Sequence, residues 1–140
     1  MPLIDGTQRE RQGILATADL MLLAARTAPK SGGRDDILTA LVTPPETEAL
    51  AEEIKVVAAE RNDLAWHKPL PILEVAAAVV LIGVRGTKSY VCNCGACSYP
   101  SCADFSAAAK RAGRDYDGPN CIFKVMDLGV ALGSAVKTAG

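Results

Sequence analysis

The chain has 140 residues, 49% of them apolar but only 4% aromatic, and a formal net charge of -1 from 15 basic and 16 acidic side chains. That length suits one domain with its own core, and the near balance of charge removes any electrostatic case for nucleic acid or an anionic membrane as partner. The opening, Met1 to Arg11, is polar and unlike a signal peptide. The longest uncharged apolar run, Val75 to Val84, falls far short of the roughly 20 residues of a membrane helix. A cytoplasmic protein is the expectation.

Ile14, Ala18, Met21, Leu22 and Ala25 recur on one helical face and predict a helix from about Thr7 to Arg26. The turn formers of Ala28-Pro29-Lys30-Ser31-Gly32-Gly33 end it. Ile37 to Val42 reads as a short strand. Thr43-Pro44-Pro45-Glu46 has the form of a helix start, with Thr43 as cap and Glu46 reaching back to it. Leu50, Ile54, Val57 and Ala58 would be the buried face of that helix, ending near Asn62. Val75 to Val84 reads as a strand buried on both faces. Two further helices are expected, roughly Cys102 to Ala112 and Cys121 to Lys137. The last carries Cys121, Val125, Leu128, Leu132 and Val136 on one stripe, and Gly129 and Gly133 allow a neighbouring backbone to come close. Lys110, Arg111 and Arg114 read as a solvated helix face. The order predicts one α+β domain over residues 1–140, with residues 88–140 as its cysteine-bearing segment.

All five cysteines lie between Cys92 and Cys121. An odd number crowded into one segment argues for a metal site rather than a disulfide scaffold. Cys94, Cys97, Cys102 and Cys121 form the spacing C-x2-C-x4-C-x18-C. Iron-sulfur clusters take thiolates because the soft, anionic sulfur both neutralises and bridges to iron. Gly95 and Ala96 give the first turn a permissive backbone. Ser101-Cys102-Ala103-Asp104 has capping-box form, and Asn120 can cap a helix starting at Cys121. Two ligands would then sit at helix N-termini, where free N–H groups favour an anionic group. A [4Fe-4S] cluster on these four cysteines is the preferred reading. One zinc remains an alternative, although a zinc ribbon usually pairs two C-x2-C knuckles; unliganded or redox-active thiols are another. Cys92 reads as a bystander that could exchange with Cys94 in a damaged cluster.

Cys94-Gly95-Ala96-Cys97 followed by Cys102-Ala103-Asp104-Phe105-Ser106-Ala107-Ala108 resembles the four-cysteine iron-sulfur domain of electron-transfer subunits and corrinoid iron-sulfur proteins. Ala24-Ala25-Arg26-Thr27-Ala28-Pro29-Lys30 and the run from Cys121 to Ala135 resemble bacterial and archaeal proteins described as containing a ferredoxin domain. The likeness covers nearly the whole chain and implies a cluster, without implying a substrate. Members of that family continue past this last helix, so a truncated or naturally short chain is expected, and Cys92 is additional to their pattern. A second resemblance, to the nitroreductase family, rests on Leu23 to Ser31 and Leu128 to Ala135. It implies a nitroreductase-like layer, an FMN bordered by the turn of Ala28 to Arg34 with Lys30 or Arg34 facing its phosphate, and a site completed across a homodimer. The paired N-terminal arginines of that family have only Arg9 and Arg11 as candidates here. The plain alternative is a helix C-terminus followed by a basic turn.

His67, the one histidine, reads as structural, and Asp35 with Asp36 as a solvated turn. Together these features predict a small redox protein passing single electrons to a partner protein or a bound flavin. An FMN oxidoreductase fed by the cluster and a zinc-binding structural module are the alternatives.

Overall fold

A computed structural model describes residues 4–140. Among them lie five α-helices and a two-stranded sheet: α1 (Gly6–Thr27), β1 (Ile37–Val42), α2 (Glu46–Arg61), α3 (Leu70–Val75), β2 (Val79–Val84), α4 (Cys102–Ala107) and α5 (Ile122–Ala139). The α+β class is as expected. Two strands and five helices do not by themselves make a nitroreductase-like layer, and that architecture is not shown. The chain divides into two compact units, one formed by residues up to Leu20 with Ala40–Leu81, the other by Met21–Thr39 with Ile82–Gly140.

In the first unit α1 starts where Asp5 accepts the amide of Thr7 at 3.1 Å, satisfying one of the donors a helix start leaves open. The helix α2 begins at Glu46, one residue after Pro45, and no side chain caps it. Thr43 is therefore not the cap; it contributes its carbonyl, which accepts the Glu46 amide at 2.9 Å. The far end is as predicted, with Asn62 left-handed at φ 47° and its amide returned to Ala58 and Ala59. Thr47 and Ala58 are its buried side chains, while Leu50, Ile54 and Val57 are half-buried. A 3-10 turn at Leu64–His67 carries Trp66 beneath the guanidinium of Arg61, 4.9 Å from the ring centre.

The expected strand from Val75 to Val84 is shorter than the apolar run. Its first residue closes the short helix α3, and β2 begins only at Val79. In a two-stranded sheet both strands are edges, so β2 is half-buried rather than buried on both faces. The amide of Arg85, just past β2, donates to Asp36 just before β1 at 3.0 Å, so the pair is antiparallel.

The second unit has a core of Ala25, Ala28, Ile37, Ala131 and Ala135, flanked by Met21, Ile82, Val84 and Leu128. Small side chains let α1, β1 and α5 approach closely, as the low aromatic content suggested. The helix α5 is rolled relative to the expected stripe. Lys124, Asp127, Ala131 and Ala135 face inward, whereas Val125, Leu132 and Val136 are exposed. Helix α4 stops at Ala107, five residues early. Lys110 and Arg111 are thus in a loop, not on a helix: Lys110 donates to the Phe105 carbonyl at 3.0 Å and lies over its ring, while Arg111 exchanges backbone hydrogen bonds with Gly118.

Candidate metal centre

The cysteine loop is shaped by backbone conformations unusual for L-residues. Val91, Asn93 and Ser98 have φ of 66°, 51° and 67°, and Gly95, in the C-x2-C turn, has 71°. Only glycine adopts this region freely; a β-branched valine there costs on the order of 1–3 kcal/mol. The return is local. Asn93 donates its amide to the Cys102 sulfur at 3.3 Å, and its side-chain oxygen accepts the Cys102 amide at 2.8 Å. That Asn93 amide, helped by the amides of Cys92 and Val91 and the hydroxyl of Ser89, draws the Cys102 thiol below its usual range against the opposing effect of burial. Successive amides turned towards one sulfur form an anion-binding concavity. Burial, with the neighbouring Cys94 sulfur, pushes the Cys92 thiol up.

Ser101 caps α4 as its sequence suggested, accepting the Asp104 amide at 3.1 Å. Cys102 is the first residue of that helix and Cys121 the residue that precedes α5. The Asn120 cap is a correction: its side chain donates to the carbonyl of Asp117 at 2.6 Å, and nothing on Cys121 caps α5 through a side chain. Cys121 is instead held by its own amide, which donates to the Gly86 carbonyl at 2.7 Å.

All five cysteines line one small cavity, together with Tyr90, Gly95, Tyr99, Ser101 and Ile122. Exposure falls along the chain, from Cys92 and Cys94 at the surface to Cys121, 6% exposed. Two rings close the wall. Tyr99 meets the buried Phe105 edge-on, and Tyr90 packs on Phe123 at 4.8 Å between ring centres. The Tyr90 ring also crosses Gly32, where a Cβ would stand 2.7 Å from it; Gly32 is itself left-handed at φ 61°. Among the described residues no group of three or more Cys, His, Asp or Glu side chains is arranged to hold a metal ion. The cysteines line one cavity, and their all-thiol chemistry fits an iron-sulfur cluster.

One turn beyond Cys121 begins a polar network that the sequence reading missed. The fully buried ammonium of Lys124 lies 3.1 Å from Asp36 and 3.5 Å from Asp127, and donates to the Arg34 carbonyl at 3.0 Å. Asp127 in turn accepts the amide and hydroxyl of Ser31 at 2.8 and 2.7 Å. Asp36 is thus no solvated turn residue. The signal was there: Lys124 and Asp127 are the only charges between Cys121 and Val136.

Of Lys30 and Arg34, the cations expected to face a flavin phosphate, Lys30 is engaged within the fold. The Lys30 ammonium, its side chain only 4% exposed, donates to the carbonyls of Ala25 and Arg26 at the end of α1. A basic group on a helix C-terminus is its role. Arg34 accepts the Lys124 ammonium at its carbonyl and its side chain is exposed, and no FMN site is shown at these residues. Arg9 bonds Gln12 on the exposed side of α1. His67 ends the 3-10 turn of the first unit.

Residues 117–140 match the family described as "Uncharacterized protein containing a ferredoxin domain". That stretch holds Cys121 and α5; the other four cysteines lie before it. A protein of Archaeoglobus fulgidus, described as uncharacterized, is 38% identical over 130 residues, which is 93% of this chain and 70% of that relative. No solved structure matches the chain, and no helix among the described residues is long and apolar enough to cross a membrane. With the cysteine cavity on α5 and a relative matched over most of both lengths, the chain belongs to the family of proteins containing a ferredoxin domain.

Proposed function

We propose that the protein binds one [4Fe-4S] cluster through Cys94, Cys97, Cys102 and Cys121 and carries single electrons to a partner protein in a reducing, cytoplasmic compartment. The observation that carries this reading is the lining of one cavity by every cysteine of the chain. The family's description supports the same chemistry. When bound, such a cluster supplies a reversible one-electron site whose potential depends on burial and on hydrogen bonds to sulfur.

The chain's own residues do three things. Amides of Val91, Cys92 and Asn93 lower the cost of a thiolate at Cys102. Tyr90 and Tyr99 supply aromatic walls that limit water. The open face at Cys92 and Cys94 leaves a short path to a docked partner, since both cysteines are exposed. Cys92 is the spare thiol, exposed at the mouth of the cavity beside Cys94.

Anaerobic reconstitution of single cysteine variants tests the ligand set. Serine at position 94, 97, 102 or 121 should lose most of the iron, and Cys92→Ser should keep it. If Cys92→Ser empties the site while Cys94→Ser does not, the assignment is wrong.

A further inference from the structure

The helix α5 is inside out with respect to charge. Its two charged side chains before the last turn, Lys124 and Asp127, are buried, while Ile122, Val125, Met126, Val130, Leu132 and Val136 are each 41–65% exposed. At 100° per residue these six fall within an arc of roughly 160° opposite the buried face. Gly129 and Gly133 lie along the middle of that arc. Met126 and Val130 flank them on one side, Val125, Leu132 and Val136 on the other. A Cβ added at either glycine would meet nothing within 4 Å. Within the single chain, then, no packing contact requires glycine at either place, and each costs the helix about 0.5–1 kcal/mol relative to alanine.

We infer that this face is the contact between two copies of the chain, crossing about a twofold axis at Gly129 and Gly133. The pattern is self-complementary: a groove floored by two glycines lies between two aliphatic ridges, so each copy's ridge has a groove to enter. Between Ile122 and Val136 the face holds no charge that would repel its copy. Its exposed aliphatic area is on the order of 500 Å² per chain, near the upper limit for a patch on a monomer. Two copies supply about 1,000 Å², the floor for a specific interface, before any neighbouring residue contributes. The glycines are explained by the same contact, since they let two backbones approach.

Sedimentation analysis of the full 140-residue chain decides the matter. The wild type should run at twice the chain mass at about 10 µM. Gly133→Leu fills space that is open in the single chain and should strengthen the helix, so its circular dichroism should be unchanged or enhanced. In the dimer the same side chain blocks the crossing, and the dissociation constant should rise at least about 100-fold. Val130→Asp should do the same by placing a charge on the apolar face. A folded wild type that is monomeric at about 100 µM would overturn the inference. So would a dimer that neither variant weakens, or a monomer of a longer natural form whose added segment covers α5.

Discussion

The cysteine loop and the first turn of α5 both line the cavity, yet they are held in different ways. In the loop, left-handed residues at 91, 93, 95 and 98 and the two-way bond between Asn93 and Cys102 set the geometry within a dozen residues. Cys121, by contrast, is fixed from afar. Gly86 takes its amide, and one turn later Lys124 is clamped by Asp36 and Arg34 while Asp127 holds Ser31, about ninety residues away. Local determination leaves its mark in spacing and turn residues. Long-range determination does not, and it ties the fourth sulfur to the stability of the whole unit.

If that contrast is right, the largest effect belongs to the clamp. Lys124→Met leaves two carboxylates without their buried cation and should cost about 3 kcal/mol, seen as a fall in Tm of roughly 10 °C. Thermal denaturation followed by circular dichroism checks it; an unchanged Tm would remove the network from the account. Next comes Gly32→Ala, which adds a left-handed strain and pushes on the Tyr90 ring. We expect a loss of about 1–2 kcal/mol and faster release of iron to a chelator, because the cavity wall moves. Asn93→Ala probes the loop instead. It removes a bond confined to the loop, so iron retention should drop while Tm changes by no more than a few degrees. A large fall in Tm would show that the loop is not locally held.

The smallest effect lies in the Arg26–Asp35 pair at the end of α1, where the side chains are 2.6 Å apart and partly exposed. Burial opposes the Asp35 charge, but the Arg26 hydrogen bond, the Ile37 amide and the charges of Lys30 and Arg26 outweigh it and hold its pKa below 3.8. A depressed pKa gives stability that is present above the unfolded value and disappears as pH falls through the folded one. Asp35→Asn should thus lower stability at neutral pH by under about 1 kcal/mol, the screened worth of an exposed pair. As pH falls through the lowered folded-state pKa of Asp35, the variant and wild type should converge.

How much of this was legible in the sequence follows the same division. The run Ile37 to Val42, the helix that precedes it, the Ser101 cap and the end of α2 at Asn62 are local features, and each stands where the residues suggested. The face of α5 was misread because periodicity assigns apolar residues to the inside, and here Lys124 and Asp127 take that side by pairing across the fold. Lys110 and Arg111 were misplaced on a helix that stops at Ala107. Spacing named the cysteines, but it could not say that Tyr90 would lie over Gly32, nor that Lys30 would be spent on α1 rather than on a ligand. Such contacts are settled only once distant segments pack.

Metal analysis of anaerobically purified protein decides whether the four cysteines hold a cluster, with iron, acid-labile sulfide and zinc measured on one sample alongside its visible spectrum. A bound cluster gives about four irons and four sulfides per chain with a broad absorbance that bleaches on reduction. A colourless protein carrying one tightly held zinc and no sulfide would contradict it.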